Sequence, residues 1–212
     1  MRTPASHQAR VIELCLLFVF LPIFLILPVP MWLRVGFAVF GFLYVLVLLV
    51  RSPHISIRSV FAVPQNHAFW YRLGLLFAGV VGLSTWYVTT TDPSLLLTVP
   101  TEQPWFWFLM VLIYSFLSVF PQELVYRTFF FDRYRDLFRN DYHLILVNAA
   151  LFSLCHIILR SPLVLVLTFM GGVFFAFTYL DTKSTVLVSV EHALYGSWLF
   201  TVGMGAMLAF PS

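Results

Sequence analysis

Charge is what this chain has least of. Only 10% of its 212 residues are Asp, Glu, Lys or Arg, against about a quarter in a soluble globular domain. With 61% hydrophobic residues and a mean hydropathy of +0.94, a water-soluble fold is excluded. The formal net charge of +3 is too small to argue for a nucleic-acid partner. Cysteine is almost missing too. Cys15 and Cys155 are the only two and both lie in apolar runs, which excludes a disulfide framework. Both read as small buried hydrophobes. Residues 1–103 and 104–212 show no mutual repeat, which argues against a transporter built from inverted halves. The first apolar run, Val11–Val29, follows Arg2 and Arg10 as a signal peptide would. It ends Leu27-Pro28-Val29-Pro30-Met31-Trp32 without a small-x-small cleavage site, so it reads as a retained anchor.

What the chain does have is a series of apolar spans of about 20 residues, the thickness of the hydrocarbon core. The expectation is an all-α polytopic transmembrane bundle. Spans fall at about 11–29, 32–50, 72–90, 105–131, 142–159, 163–180 and 185–209, with Gly203–Phe210 as a separate eighth segment in the alternative count. Pro22 and Pro121 should bend the first and fourth spans. Gly74, Ala78 and Gly82, and Gly171-Gly172 with Ala176, form two small-residue faces suited to close helix packing in lipid. Residues 51–71 are basic with apolar residues interleaved, as in a loop or an interfacial helix. Residues 132–141 form the most charged loop. With the N-terminus inside, Arg2, Arg10, Arg51, Arg58, Arg72, Arg133, Arg135, Arg139 and Lys183 are all inside and only Arg34 and Arg160 outside, which sets the expected orientation. Residues 1–103 thus supply three N-terminal spans and a basic segment, and 104–212 a helical core that carries the chemistry.

That chemistry centres on Phe120-Pro121-Gln122-Glu123-Leu124-Val125-Tyr126-Arg127. Glu123 and Arg127 are four residues apart, so on a helix they share a face and can pair. Ionisable groups inside a membrane are costly and mark functional cavities or paired sites. The fifth span adds Asn148 and His156, and the seventh adds Glu191-His192. At about 1.5 Å per residue, Glu123 and His192 both lie roughly 12 Å from the inner ends of their spans, and His156 roughly 20 Å. The three can therefore meet, Glu123 and His192 more readily than His156. A carboxylate and two imidazoles can activate water for hydrolysis, bind a divalent metal such as zinc, or relay protons. Asn148 shares a face with Phe152 and His156 and reads as an interhelical hydrogen-bonding residue.

Gln122-Glu123-Leu124-Val125-Tyr126-Arg127 resembles the Glu-Glu-x-x-x-Arg motif of the CPBP intramembrane proteases, the family that includes the type II CAAX prenyl endopeptidase. Phe152-Ser153-Leu154-Cys155-His156 matches that family's Phe-x-x-x-His, and His192-Ala193-Leu194-Tyr195-Gly196 resembles its His-x-x-x-Asn/Asp. The three stand in the family's order, over about residues 104–200. The resemblance implies a glutamate-dependent intramembrane endopeptidase that needs no metal or other cofactor. Its substrate would be a membrane-associated protein or peptide: a prenylated C-terminus, a leader or pro-peptide, or a C-terminal sorting helix. In a prokaryote it would sit in the cytoplasmic membrane.

The resemblance gives the first Glu and the motif-two His the activation of water, and the motif-three His and Asn the oxyanion. This chain departs at two of those positions. Gln122 stands where the first Glu belongs, and Gly196 where the Asn belongs. An amide cannot act as a base, though it can orient a water. The expected catalytic residues are therefore Glu123, His156 and His192, with Glu123 as base and His192 at the oxyanion. Gln122, Arg127, Phe152, Glu191 and Gly196 support them; Arg127 positions Glu123, and Glu191 is an extra carboxylate beside His192. Tyr195 or a backbone N–H is left to replace the Asn. The alternatives are a catalytically inactive membrane scaffold or immunity factor, favoured by Gln122 and Gly196, and a zinc-dependent membrane hydrolase.

Overall fold

The computed structural model describes residues 6–208. Every regular element among them is helical and there is no strand. Six helices are long and apolar enough to cross a membrane: α1 (His7–Leu25), α2 (Met31–Val50), α3 (His67–Thr91), α4 (Pro104–Leu137), α5 (Asp141–Leu159) and α6 (Pro162–Thr182). They correspond to the first six expected spans. A further helix, α7 (Thr185–Leu199), continues as a π-helical turn at Phe200–Met204. Residue 209, where the sequence places the end of the seventh span, lies outside the described residues. The protein is an integral multi-pass membrane protein of all-α class. Its exposed side chains include Trp32, Phe40, Leu75, Trp86 and Trp105, a surface that suits lipid rather than water.

Local chemistry sets the helix ends. Asn66, Asn140 and Ser184 accept backbone N–H bonds at the starts of α3, α5 and α7, satisfying donors that a helix start leaves open. Both expected proline bends appear as widened turns. Leu16–Phe20 and Tyr114–Val119 are π-helical and end just before Pro22 and Pro121. A proline removes one N–H donor and its ring crowds the carbonyl four residues back. A turn closed by i→i+5 bonds accommodates that. α4 has a second π-helical turn at Leu124–Phe129, directly after Glu123. It also runs on through Tyr134 into a 3₁₀ turn at Arg135–Leu137, so the charged loop expected from residue 132 begins only after Leu137.

The helices group into two compact units. One comprises Met1–Val60 and Leu124–Phe177, the other Phe61–Glu123 and Thr178–Ser212. The boundary divides α4 between Glu123 and Leu124. In the first unit, Phe18 is fully buried and meets Tyr126, Phe130 and Tyr134 edge-on at 5.1–5.9 Å, the geometry aromatic quadrupoles favour. Glu13 accepts hydrogen bonds from Arg133, Tyr134 and Tyr44 and so fastens α1 and α2 to the end of α4. Gly172 of α6 lies against Ala149 of α5, where an added Cβ would stand 3.0 Å from the Ala149 α-carbon. That small-residue contact agrees with the sequence. In the second unit, Trp198 donates to Ser84 and Trp107 to Thr201, tying α7 to α3 and α4. Gly203 has φ +114°, a conformation open to glycine, and the Leu95 carbonyl closes over it. The helix breaks there, where the sequence allows a separate last segment.

Two expectations fail. Gly74, Ala78 and Gly82 do not pack: all three are exposed, and nothing lies within 4 Å of a Cβ built on either glycine. The buried face of α3 carries Phe69, Leu73, Ser84 and Val88 instead. A spacing of four marks a face but not which face turns inward. Cys15 is also exposed rather than buried, among the exposed apolar side chains Val11, Ile12, Leu16 and Phe20.

Candidate active site

In the second unit, Glu123 and His192 meet. His192 Nδ1 lies 2.7 Å from Glu123 Oε1, although 69 residues separate them in the chain. Glu123 is 0% and His192 6% exposed. With the carboxylate ionised, Nδ1 is the donor, and the distance suits a charge-assisted bond. Two local features bring this about. The π-helical turn before Pro121 resets the phase of α4, and the Ser184 cap fixes the start of α7, eight residues ahead of His192.

The neighbours of the pair point elsewhere. Gln122 Nε2 donates to Ser118 Oγ at 2.8 Å, one turn back on its own helix. Glu191, one residue before His192, is 1% exposed and accepts from the Tyr195 hydroxyl at 2.9 Å. In the same unit Arg72 donates to Thr178 at 3.1 Å and pairs with Asp181 at 3.4 Å, joining α3 to α6. Successive helical residues diverge by about 100°, so Glu191 and His192 meet different partners.

Gly196 lies one turn beyond His192 on α7. A Cβ added to it would overlap the Tyr114 hydroxyl and stand 2.7 Å from Tyr114 Cε1. The Tyr114 ring meets the His192 ring edge-on, 6.1 Å between centroids at 85°. Sequence reasoning missed Tyr114. It lies eight residues before Gln122 in an aromatic-rich span, and the only sequence signal was the glycine that makes room for it.

The first unit holds the remaining motif residues. Arg127 is fully buried. It donates to Asn148 Oδ1 at 2.8 Å and reaches the Gly172 carbonyl at 3.5 Å. Its guanidinium lies over the Phe152 ring at 4.8 Å and the Phe175 ring at 5.7 Å, within cation–π range. Asn148 in turn donates to the Tyr126 carbonyl at 2.7 Å. Arg127, Asn148 and Phe152 thus tie α4, α5 and α6 together, and Asn148 has the interhelical role expected of it. His156 begins the 3₁₀ turn that ends α5, with Nδ1 2.8 Å from the Phe152 carbonyl. A carbonyl only accepts, so Nδ1 carries that proton and a neutral ring presents its lone pair at Nε2.

Among the described residues, no three His, Cys, Asp or Glu side chains stand together as a metal site. What the second unit does assemble is a buried carboxylate–imidazole pair with a phenol beside it, the elements of acid–base hydrolysis.

The comparisons with known proteins point the same way. The family model of the type II CAAX prenyl endopeptidases, Rce1-like, matches residues 104–210, just over half the chain. No curated protein and no solved structure is significantly similar to it. The matched segment contains all three motifs that resemble this protease family, together with the pair that α4 and α7 bring into contact. The chain belongs to the Rce1-like type II CAAX prenyl endopeptidase family, a family of intramembrane endopeptidases.

Proposed function

We propose that the protein hydrolyses a peptide bond of a membrane-associated protein or peptide, with His192 as the proton acceptor and Glu123 as its partner. The observation that carries this reading is the 2.7 Å bond between two buried side chains from distant parts of the chain. Glu123 fixes the Nδ1–H form of His192, which leaves Nε2 to take a proton from water. The water oxygen attacks the scissile carbonyl carbon as that proton moves to Nε2, and the carbonyl electron pair shifts onto oxygen. Collapse restores the carbonyl and breaks the C–N bond, and His192 returns the proton to the leaving amine. Glu123 stays ionised and stabilises the imidazolium while it exists.

This reading exchanges the roles the motifs suggest, in which Glu123 is the base and His192 holds the oxyanion. Gln122 is the reason. The motif's base position carries an amide, so Glu123 acts through the imidazole it touches. For His156, the resemblance alone supplies a share in water activation.

The test is cleavage by the purified protein in liposomes. Two probes serve: a farnesylated peptide ending Cys-aliphatic-aliphatic-x, and a single-span helical peptide. Release of a defined product by the wild type, lost in Glu123→Gln, is expected. A second reading, a non-catalytic membrane scaffold or immunity factor, is favoured by Gln122 and Gly196. It predicts no cleavage of either probe, with Glu123→Gln retaining the biological function.

A further inference from the structure

We infer that the Tyr114 hydroxyl is the hydrogen-bond donor to the carbonyl oxygen as negative charge develops on it. This rests on the proposed hydrolysis at Glu123 and His192.

A tetrahedral intermediate needs donors aimed at its oxygen. Here the pair sits on helix interiors, where backbone N–H groups are already used within the helix. The donor must therefore come from a side chain. His192 spends Nδ1–H on Glu123 and Gln122 spends an amide N–H on Ser118. The Tyr195 hydroxyl donates to Glu191, away from the pair. Tyr114 brings a hydroxyl to the face of α7 that carries His192 and Gly196, its ring edge-on to the His192 imidazole.

Gly196 is the second half of the device. The resemblance puts an amide side chain at this position, and any side chain there would collide with the Tyr114 hydroxyl. The phenol reaches from α4 into the space that a residue on α7 would fill. A donor from α4 thus takes the place of one from α7. Tyr114 keeps its proton throughout the reaction; it shortens its bond to the oxygen as charge develops and relaxes when the C–N bond breaks.

The experiment uses full-length protein in liposomes with the farnesylated peptide as probe. Tyr114→Phe removes one oxygen. It should lower kcat by about 10²–10³-fold, the usual cost of one such donor, with KM and the unfolding midpoint unchanged. Gly196→Asn should lose both turnover and stability. Tyr114→Ala combined with Gly196→Asn should recover turnover above either single change. Inhibition gives a readout independent of turnover. A farnesylated peptide aldehyde, whose hydrate is tetrahedral, should bind the wild type at least about 10²-fold tighter than the matching alcohol, and Tyr114→Phe should lose that preference. If Tyr114→Phe keeps kcat within threefold and keeps the preference while Glu123→Gln is inactive, this inference is overturned and the pair stands. If Glu123→Gln keeps full turnover, or the wild type cleaves neither probe, the function falls and the inference with it.

Discussion

Glu123 and Arg127 lie four residues apart on α4, and both are fully buried. Their surroundings differ in kind. Glu123 meets an imidazole, a side chain that can both take and give a proton. The partners of Arg127 include an amide, a carbonyl and two aromatic faces. Burial alone does not make a charged residue catalytic; the chemistry of its partner decides. A guanidinium that is always protonated, held among fixed dipoles and rings, suits the joining of three helices. A carboxylate set against a histidine suits proton transfer.

That contrast can be broken by substitution. The largest effect should be on turnover at the pair. His192→Gln and Glu123→Gln should each cut kcat by about 10⁴-fold, as loss of a triad member or its orienter does. Their unfolding midpoints should stay near the wild type, since each replaces one polar group by another of similar size. Arg127→Met should show the reverse. It strips Asn148 of a charged donor and should cost about 3 kcal/mol of stability, read as a lower midpoint and less folded protein, with turnover per folded molecule affected far less. Arg127→Lys should rescue little, because a point charge cannot span the same contacts. Next comes Gly172→Val, which drives a side chain into Ala149 and should cost about 1–3 kcal/mol. The smallest effect should come from Gly74→Leu, on the exposed face of α3, within about 0.5 kcal/mol. A Gly74 variant as damaging as the Gly172 one would contradict the packing described above. Chelator treatment of the active protein tests the zinc alternative, and full activity after metal removal is expected.

Much of the fold was legible because lipid imposes a simple code: apolar length gives the spans, and prolines and small polar residues give their bends and ends. Which face of a span turns inward is less legible. Gly74, Ala78 and Gly82 have the same spacing logic as Gly171-Gly172 and Ala176, yet only the second set packs. In lipid, both faces are apolar, so the sequence pattern carries little amphipathic signal to separate them. The site divides in the same way. The meeting of Glu123 with His192 followed from matching depths in two spans. The placement of Gln122 and Glu123 did not, because π-helical turns on both sides of Phe120–Glu123 break the 3.6-residue phase on which the sequence reading relied. Tyr114 belongs to none of the motifs; what admits it is the missing side chain at Gly196, 82 positions later in the chain.

In the proposed reaction His192 accepts the proton with Glu123 behind it. The pH dependence of kcat tests it most directly, measured with the farnesylated peptide over about pH 5–9, the range in which histidine changes charge. A neutral His192 base predicts a rate that falls as pH drops through one ionisation and stays level on the alkaline side. If Glu123 were the base and His192 a cationic donor to the oxyanion, the rate would instead fall as pH rises and the imidazolium loses its proton. A level alkaline limb supports the account, and a falling one contradicts it.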